Sequence, residues 1–237
     1  MINPCISYGI TKENRNHNKY QIEDLPCDIQ LSIFHYKDEF LINKEKILDE
    51  IEKNGNKIKV VHMPLDTLKT PLKEIEFFVS DIYVRSGCDK YVLHPNKGIE
   101  YFLNNYKFRT PEKFCLETFA WKKKKVFRTP LEIIDICNKL INVSMTIDTA
   151  HIEPIWFDHK IMSHLLKYTK IIHLSNRCKE LGPHIPFNHP KGELKLIKFV
   201  NDLKYRYKWS GDIVLEYMPE YSHKIIKNVM FLKKLVE

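Results

Sequence analysis

The stretch SMTIDTAH, residues 144–151, begins with a short, mostly apolar run that ends at Asp148, and His151 follows three positions later. A short run of this kind, rich in apolar and β-branched residues, is typical of a buried strand. The end of the strand therefore carries two metal-type side chains. Five more apolar runs in the chain end in the same manner, with a histidine or a glutamate, at His62, His94, Glu117, His173 and Glu216.

Eight apolar runs are expected to form strands, at residues 2–7, 29–34, 58–63, 90–94, 114–117, 144–148, 171–174 and 213–216. Stretches with helical spacing lie between most of them, at residues 44–53, 72–87, 130–140 and 158–168, and a last one follows at 223–237. Only the first connection, residues 10–26, is polar and aperiodic, so it predicts a short helix or a loop. Alternating strands and helices indicate a parallel sheet with crossover helices. We predict one domain, residues 1–237, folded as a single (β/α)8 TIM barrel with the ligands at the C-terminal ends of its strands.

Composition narrows the class of protein. The chain has 237 residues, 43% of them hydrophobic, and no apolar run long enough to cross a membrane. Its N-terminus lacks the pattern of a signal peptide, so we expect an intracellular, cytoplasmic protein without a membrane partner. The six cysteines contain no CxxC pair and predict neither disulfides nor a cysteine metal site. The net charge of +8 suits a polyanionic partner but is weak evidence for one.

The ligand chemistry carries the functional prediction. Imidazole and carboxylate groups are the usual zinc ligands, and carboxylates also suit manganese and magnesium. A single histidine beside a proline, as in VLHPN, is usually a turn or core residue. Seven ligand-type residues at equivalent ends of six strands are hard to explain by packing, because buried charges without partners are costly. The sequence therefore predicts a metalloenzyme.

Six segments together resemble the xylose isomerase-like TIM barrels and, among them, the endonuclease IV family of apurinic/apyrimidinic endonucleases. The resemblance covers most of the chain from about residue 29 to 216. TIDTAHIE is the most specific match, to the Asp-Thr-x-His motif of that family. The other segments that are similar to family motifs are VHMPLDTL, YVLHPN, CLETFAW, IIHLSNRCKELG and VLEYMPE.

The resemblance implies a cluster of two or three zinc ions, each with its own ligands. The first set is His62, His94 and Glu117. The second set is Glu117 as a bridge, Asp148, His173 and Glu216. The third set is His151 with a pair from the loop after the seventh strand, which reads GPHIPFNHPKGEL and offers His184 and His189 but no aspartate. The sequence leaves open which of these two histidines is the ligand.

The activity implied by the endonuclease resemblance is hydrolysis of DNA at abasic sites, with Glu117 and Glu216 as catalytic carboxylates. Leu65 stands in the stretch where that family has residues that enter the DNA at the lesion. Lys122 and Lys123 belong to a basic run in the loop after the fifth strand and are expected to contact phosphates. DNA is the expected partner under this hypothesis, and DNA repair would place the protein beside the chromosome.

A second hypothesis is a sugar or sugar-phosphate isomerase or epimerase of the same superfamily. The members that it resembles hold one divalent metal, Mn²⁺ or Mg²⁺ among the possibilities, with Glu117, Asp148, His173 and Glu216. The two glutamates would then also move the substrate proton. His62 and His94 separate the hypotheses, because as ligands they require a second metal. A third hypothesis is a barrel that has lost catalysis and serves as a binding protein.

Overall fold

The computed structural model describes residues 1–9, 21–33, 41–64, 67–118 and 129–237. Eight parallel strands close into a barrel, which confirms the predicted TIM barrel. In order around the barrel they are β1 (Ile2–Gly9), β10 (Gly211–Leu215), β7 (Thr169–Leu174), β6 (Val143–Asp148), β5 (Lys113–Glu117), β4 (Lys90–Leu93), β3 (Ile58–His62) and β2 (Asp28–Ser32). β2 pairs with β1 and closes the ring. All eight predicted strands are present.

Helices follow most of the strands and cover the outside of the barrel. They are α1 (Leu41–Asn54), α2 (Leu72–Ser86), α3 (Ile99–Asn105), α4 (Pro130–Lys139), α5 (His159–Leu165), α6 (Leu196–Asn201) and α7 (Ile225–Val236). A π-helical turn, Asp202–Arg206, continues α6. Short 3₁₀ turns lie at Ile22–Asp24, Gly55–Lys57, Thr67–Lys69, Pro154–Phe157 and Pro219–Lys224. Among the described residues, none of the helices combines the length and apolar character needed to cross a bilayer.

Local sequence explains where helices begin and end. α4 begins with a capping box, because Thr129 bonds the backbone of Glu132 and the Glu132 side chain accepts from Thr129 N–H. α2 ends at Gly87, whose φ of 70° is a left-handed conformation that glycine adopts without strain. In the first connection, the described part holds only the short turn Ile22–Asp24 before β2. An antiparallel hairpin, β8 (Asn176–Cys178) and β9 (Gly182–Ile185), follows β7.

The inside of the barrel is filled in layers. One layer is a buried apolar cluster of six residues from six strands: Cys5, Val60, Val92, Cys115, Ile171 and Val214. Side chains alternate along a strand, so residues two positions later also face inward, at the C-terminal end of the barrel. Those residues are Ser7, His62, His94, Glu117, His173 and Glu216. Because side chains alternate along each strand, the metal-type side chains lie together on the C-terminal side of this apolar layer.

The opposite end of the barrel interior is closed by a polar cluster. Asn3 donates to Asp28 at 3.1 Å and to Asp212 at 3.0 Å, and Lys90 forms an ion pair with Asp212. Because Asp212 is almost fully buried, these partners are needed to offset the loss of its hydration. These contacts fill the N-terminal end of the barrel interior, and the predicted metal ligands that the structure describes lie at the C-terminal end.

Candidate metal centre

Three buried side chains and one half-buried side chain meet at the centre of the C-terminal mouth. Glu117, Asp148, His173 and Glu216 each offer a ligand atom, and these atoms lie within 4.8 Å of one another. His173 Nδ1 is 2.8 Å from Glu117 Oε1 and 2.9 Å from Glu216 Oε2. We call this set the central group. It contains the complete ligand set that the isomerase hypothesis requires.

The backbone around Asp148 fixes the direction of its carboxylate. Asp148 N–H donates to Thr118 Oγ1 at 2.8 Å, which ties the end of β6 to the end of β5. Ala150 N–H donates to Asp148 Oδ1 at 2.8 Å. The other oxygen, Asp148 Oδ2, is buried and accepts no hydrogen bond from the part of the chain that the structure describes. One oxygen is therefore used for the turn, and the second is available to a ligand.

Two further histidines face the same oxygen of Glu117. His94 Nε2 lies 2.9 Å from Glu117 Oε2, and His62 Nε2 lies 3.4 Å from it. His62, Glu117 and His173 form a second possible ligand group. His62 is oriented by a contact of 3.1 Å between its Nδ1 and the carbonyl oxygen of Met63. Oε1 of Glu117 thus faces the ring of His173, and Oε2 faces the rings of His62 and His94.

A third group lies beside the central group and shares Asp148 with it. Asp148, His151 and His184 offer atoms within the same 4.8 Å limit, and the Nε2 atoms of the two histidines are 3.0 Å apart. The β8–β9 hairpin brings His184 to this position, with Ser175 Oγ 3.1 Å from its Nδ1. His184 has a φ of 59°, which is uncommon for a residue with a side chain and typical of functional positions.

The loop after β7 therefore places His184, rather than His189, beside His151. His189 lies in a turn where its N–H donates to the carbonyl oxygen of Pro186, and its ring packs edge-on against Tyr221. It belongs to none of the possible ligand groups among the described residues. Both histidines were candidates from the sequence, and only the path of the hairpin separates them.

The charged side chains in the mouth shift one another's pKa values. Burial alone would raise the pKa of Glu117, but the charges of His173 and His94 and hydrogen bonds from His173 and His62 hold it well below its ordinary value. Glu216 has its pKa lowered to about 2, because His173 outweighs the effect of burial. These two carboxylates are ionised at neutral pH.

The pKa values of His62, His173 and Asp148 shift in the opposite direction, upward. Burial disfavours a charged His173, yet Glu216 and Glu117 raise its pKa well above the ordinary value. Burial likewise opposes a charged His62, and Glu117 outweighs it and raises that pKa too. Burial raises the pKa of Asp148, against the charges of His151 and His184. Glu117 and Glu216 thus favour the protonated form of both rings.

No protein-family model and no curated protein matches the chain. Solved structures do match it along nearly its whole length. A xylose isomerase domain containing protein from Salmonella typhimurium is 14% identical, with 99% of this chain and 97% of that chain covered and a TM-score of 0.66. L-ribulose 3-epimerase is 10% identical, with coverages of 100% and 95% and a TM-score of 0.60.

A third structure is a xylose isomerase-like TIM barrel protein from Mycobacterium smegmatis in complex with magnesium. It is 11% identical, with coverages of 91% and 86% and a TM-score of 0.56. This chain has the same TIM-barrel fold as these structures. The likeness shows the fold and does not reach endonuclease IV in particular.

The residues of the central group fit a divalent cation. Three carboxylates of the central group converge on a single imidazole, and like charges at this distance repel unless a cation lies among them. The second oxygen of Asp148 has no hydrogen bond within the described residues, as expected of a ligand without its ion. A set of hard oxygen atoms with imidazole nitrogen suits Mn²⁺, Mg²⁺ and Zn²⁺ and does not select zinc among them.

Three predicted substrate contacts cannot be placed. Leu65, Lys122 and Lys123 lie outside the described residues. Sequence reasoning also missed one residue, Gln30, whose Oε1 is 2.9 Å from His173 Nε2. It is fully buried on β2 and faces the barrel interior. A signal was present, because Gln30 lies between the apolar residues Ile29 and Leu31 of β2, but a polar residue in a strand does not show which ring it contacts.

Proposed function

We propose that this chain is a divalent-metal-dependent isomerase or epimerase of a sugar or sugar phosphate. The observation that supports the proposal best is the central group, in which Glu117, Asp148, His173 and Glu216 have ligand atoms within 4.8 Å of one another at the C-terminal ends of the barrel strands. A divalent cation held by these four residues would polarise a substrate carbonyl and stabilise negative charge on its oxygen. L-ribulose 3-epimerase, which shares the fold, acts by its name on a sugar.

The four side chains of the central group differ in how much they are exposed to solvent, and this difference suggests different roles. The side chain of Glu216 is 21% exposed, whereas those of Glu117 and Asp148 are 3% and 1% exposed and that of His173 is fully buried. Glu216 is therefore the carboxylate that reaches a substrate in the mouth most readily. Its lowered pKa keeps it ionised, and an ionised carboxylate can accept a proton.

The proposed reaction starts with the C–H bond next to the substrate carbonyl. Glu216 takes the proton, and the electron pair of the bond moves to form the enediolate. Glu117, when it starts the cycle protonated, would give its own proton to the opposite face of the same carbon. Alternatively, Glu216 would return the proton that it took to the neighbouring carbon, while the proton of the adjacent hydroxyl moves to the former carbonyl oxygen. The first outcome is epimerisation and the second is isomerisation, and both are redox-neutral overall. His94 and His151 line the mouth on either side and are placed to bind substrate hydroxyls.

The experiment is proton exchange in D₂O. Protein supplied with Mn²⁺ is incubated with a panel of ketoses and sugar phosphates, and loss of the proton next to the carbonyl is followed by NMR. We expect exchange with at least one substrate and a loss of about 10²- to 10⁴-fold in Glu216→Gln, the usual contribution of a general base. Glu112→Gln is the control, because Glu112 is also buried but precedes β5, at the N-terminal end of the barrel. Absence of exchange across the panel would count against the proposal.

A second candidate function is phosphodiester hydrolysis at abasic sites in DNA. A specific observation favours it: His62 and His94 both face Glu117 Oε2, and His151 and His184 add a further group around Asp148. An isomerase with one metal does not need these four histidines as ligands. Metal content separates the two functions, because two or three zinc ions per chain together with incision of abasic DNA would replace the isomerase proposal.

A further inference from the structure

We propose that Gln30 is a positioning residue that selects which nitrogen of His173 binds the metal. This inference rests on the metal site proposed above and assigns a role to a residue outside the ligand set. Gln30 lies on β2 and His173 on β7, 143 positions later in the chain, and the two side chains meet across the barrel interior. The contact is therefore made by closure of the barrel.

The geometry commits each ring nitrogen of His173 to a different partner. Nδ1 faces the carboxylates of Glu117 and Glu216, where the cation would lie. Nε2 is 2.9 Å from Gln30 Oε1. An amide oxygen only accepts hydrogen bonds, so this contact requires the proton on Nε2. The lone pair of a neutral His173 is then on Nδ1, directed at the carboxylates.

Gln30 is buried at a cost that an aliphatic side chain would not have. The side chain is fully buried, and its Nε2 has no hydrogen-bond partner among the residues that the structure describes. A buried amide without a full set of partners lowers the stability of the folded state. An aliphatic residue would fill the position without this cost. The contact with His173 is the feature that an aliphatic residue cannot supply.

Hydrogen bonds to the far nitrogen of a ligating histidine fix its tautomer and ring orientation, and their loss lowers metal affinity by about 10- to 100-fold. We expect Gln30→Met, which keeps the length of the side chain without the amide oxygen, to weaken Mn²⁺ binding by about this factor. Gln30→Glu restores an acceptor and is expected to bind Mn²⁺ more tightly than Gln30→Met.

The control is Thr146→Val. Thr146 is fully buried and inward-facing on β6, and its hydroxyl has no hydrogen-bond partner in the described part of the chain. The substitution therefore removes a polar group from the same barrel interior without removing a hydrogen bond to His173. Its affinity for Mn²⁺ should equal that of the wild type. All variants are first compared by circular dichroism, so that a folding defect is recognised.

Two measurements test the proposal. Titration calorimetry gives the Kd for Mn²⁺, and ¹⁵N NMR of histidine-labelled protein with Mg²⁺ reports which ring nitrogen carries the proton. A proton on Nε2 of His173 in the wild type, lost affinity in Gln30→Met and partial recovery in Gln30→Glu would support it. Equal affinity of Gln30→Met and wild type would overturn it while leaving the metal site intact. A wild type that binds no Mn²⁺ would overturn both the metal site and this inference.

Discussion

Addition of Mn²⁺ to chelator-treated protein should raise its melting temperature, and Glu117→Gln should abolish the increase. Glu117 belongs both to the central group and to the group with His62 and His173, so the substitution removes a charged donor from each. Glutamine has nearly the same shape, which keeps packing at the end of β5 intact. The loss is therefore chemical rather than steric.

The size of the effect follows from ligand linkage. A cation present at 100 times its Kd stabilises the folded state by about 2.7 kcal/mol, provided that the unfolded chain does not bind it. In a chain of this length, 1 kcal/mol corresponds to about 2–4 °C in melting temperature. The wild type should therefore gain about 5–11 °C. Glu117→Gln should gain less than about 2 °C at the same Mn²⁺ concentration.

The assay is differential scanning calorimetry at several Mn²⁺ concentrations, with Glu112→Gln as the matched control. Glu112 is a buried carboxylate whose Oε1 accepts from Arg109 N–H and whose Oε2 accepts from Thr110 N–H. Its substitution should lower the melting temperature of the metal-free protein and leave the Mn²⁺ response unchanged. If Glu117→Gln kept the full response to Mn²⁺, the assignment of Glu117 as a ligand would be wrong.

Two further predictions concern the histidines of the mouth. If the protein is an isomerase, His94→Ala should keep one bound Mn²⁺ per chain and its proton-exchange activity. If it is a hydrolase, the variant should lose a metal and its incision activity. Elemental mass spectrometry and the two activity assays distinguish these outcomes. Mn²⁺ affinity should rise by about tenfold per pH unit above pH 6.5 until the pH passes the raised pKa of His173, because the cation displaces one proton from that ring. Calorimetry across pH measures this dependence. An affinity that did not change with pH would mean that His173 is not a ligand. In the metal-free protein the sign is reversed, since stabilisation by protonated His173 is complete below the unfolded pKa of about 6.5 and is lost as pH rises through the folded value.

Much of the barrel could be predicted from local pattern. Each strand is a short apolar run, and each covering helix has its own periodicity, so both signals are contained in neighbouring residues. The start of α4 and the end of α2 are likewise local features, because the capping box at Thr129 and the glycine at position 87 involve only neighbouring residues. The site followed from the same pattern, since Glu117, His173 and Glu216 stand at strand ends and parallel strands present their ends on one face.

The sequence by itself determined which side chains reach the mouth, because the period of two along a strand is a local property. Only the tertiary structure decided which of them share a cation. The choice of His184 over His189 depends on the path of the β8–β9 hairpin, and the contact between Gln30 and His173 depends on closure of the ring through β1 and β10. Neither relation is local, because a distance across the barrel is set by the packing of all eight strands and not by the spacing of residues along the chain.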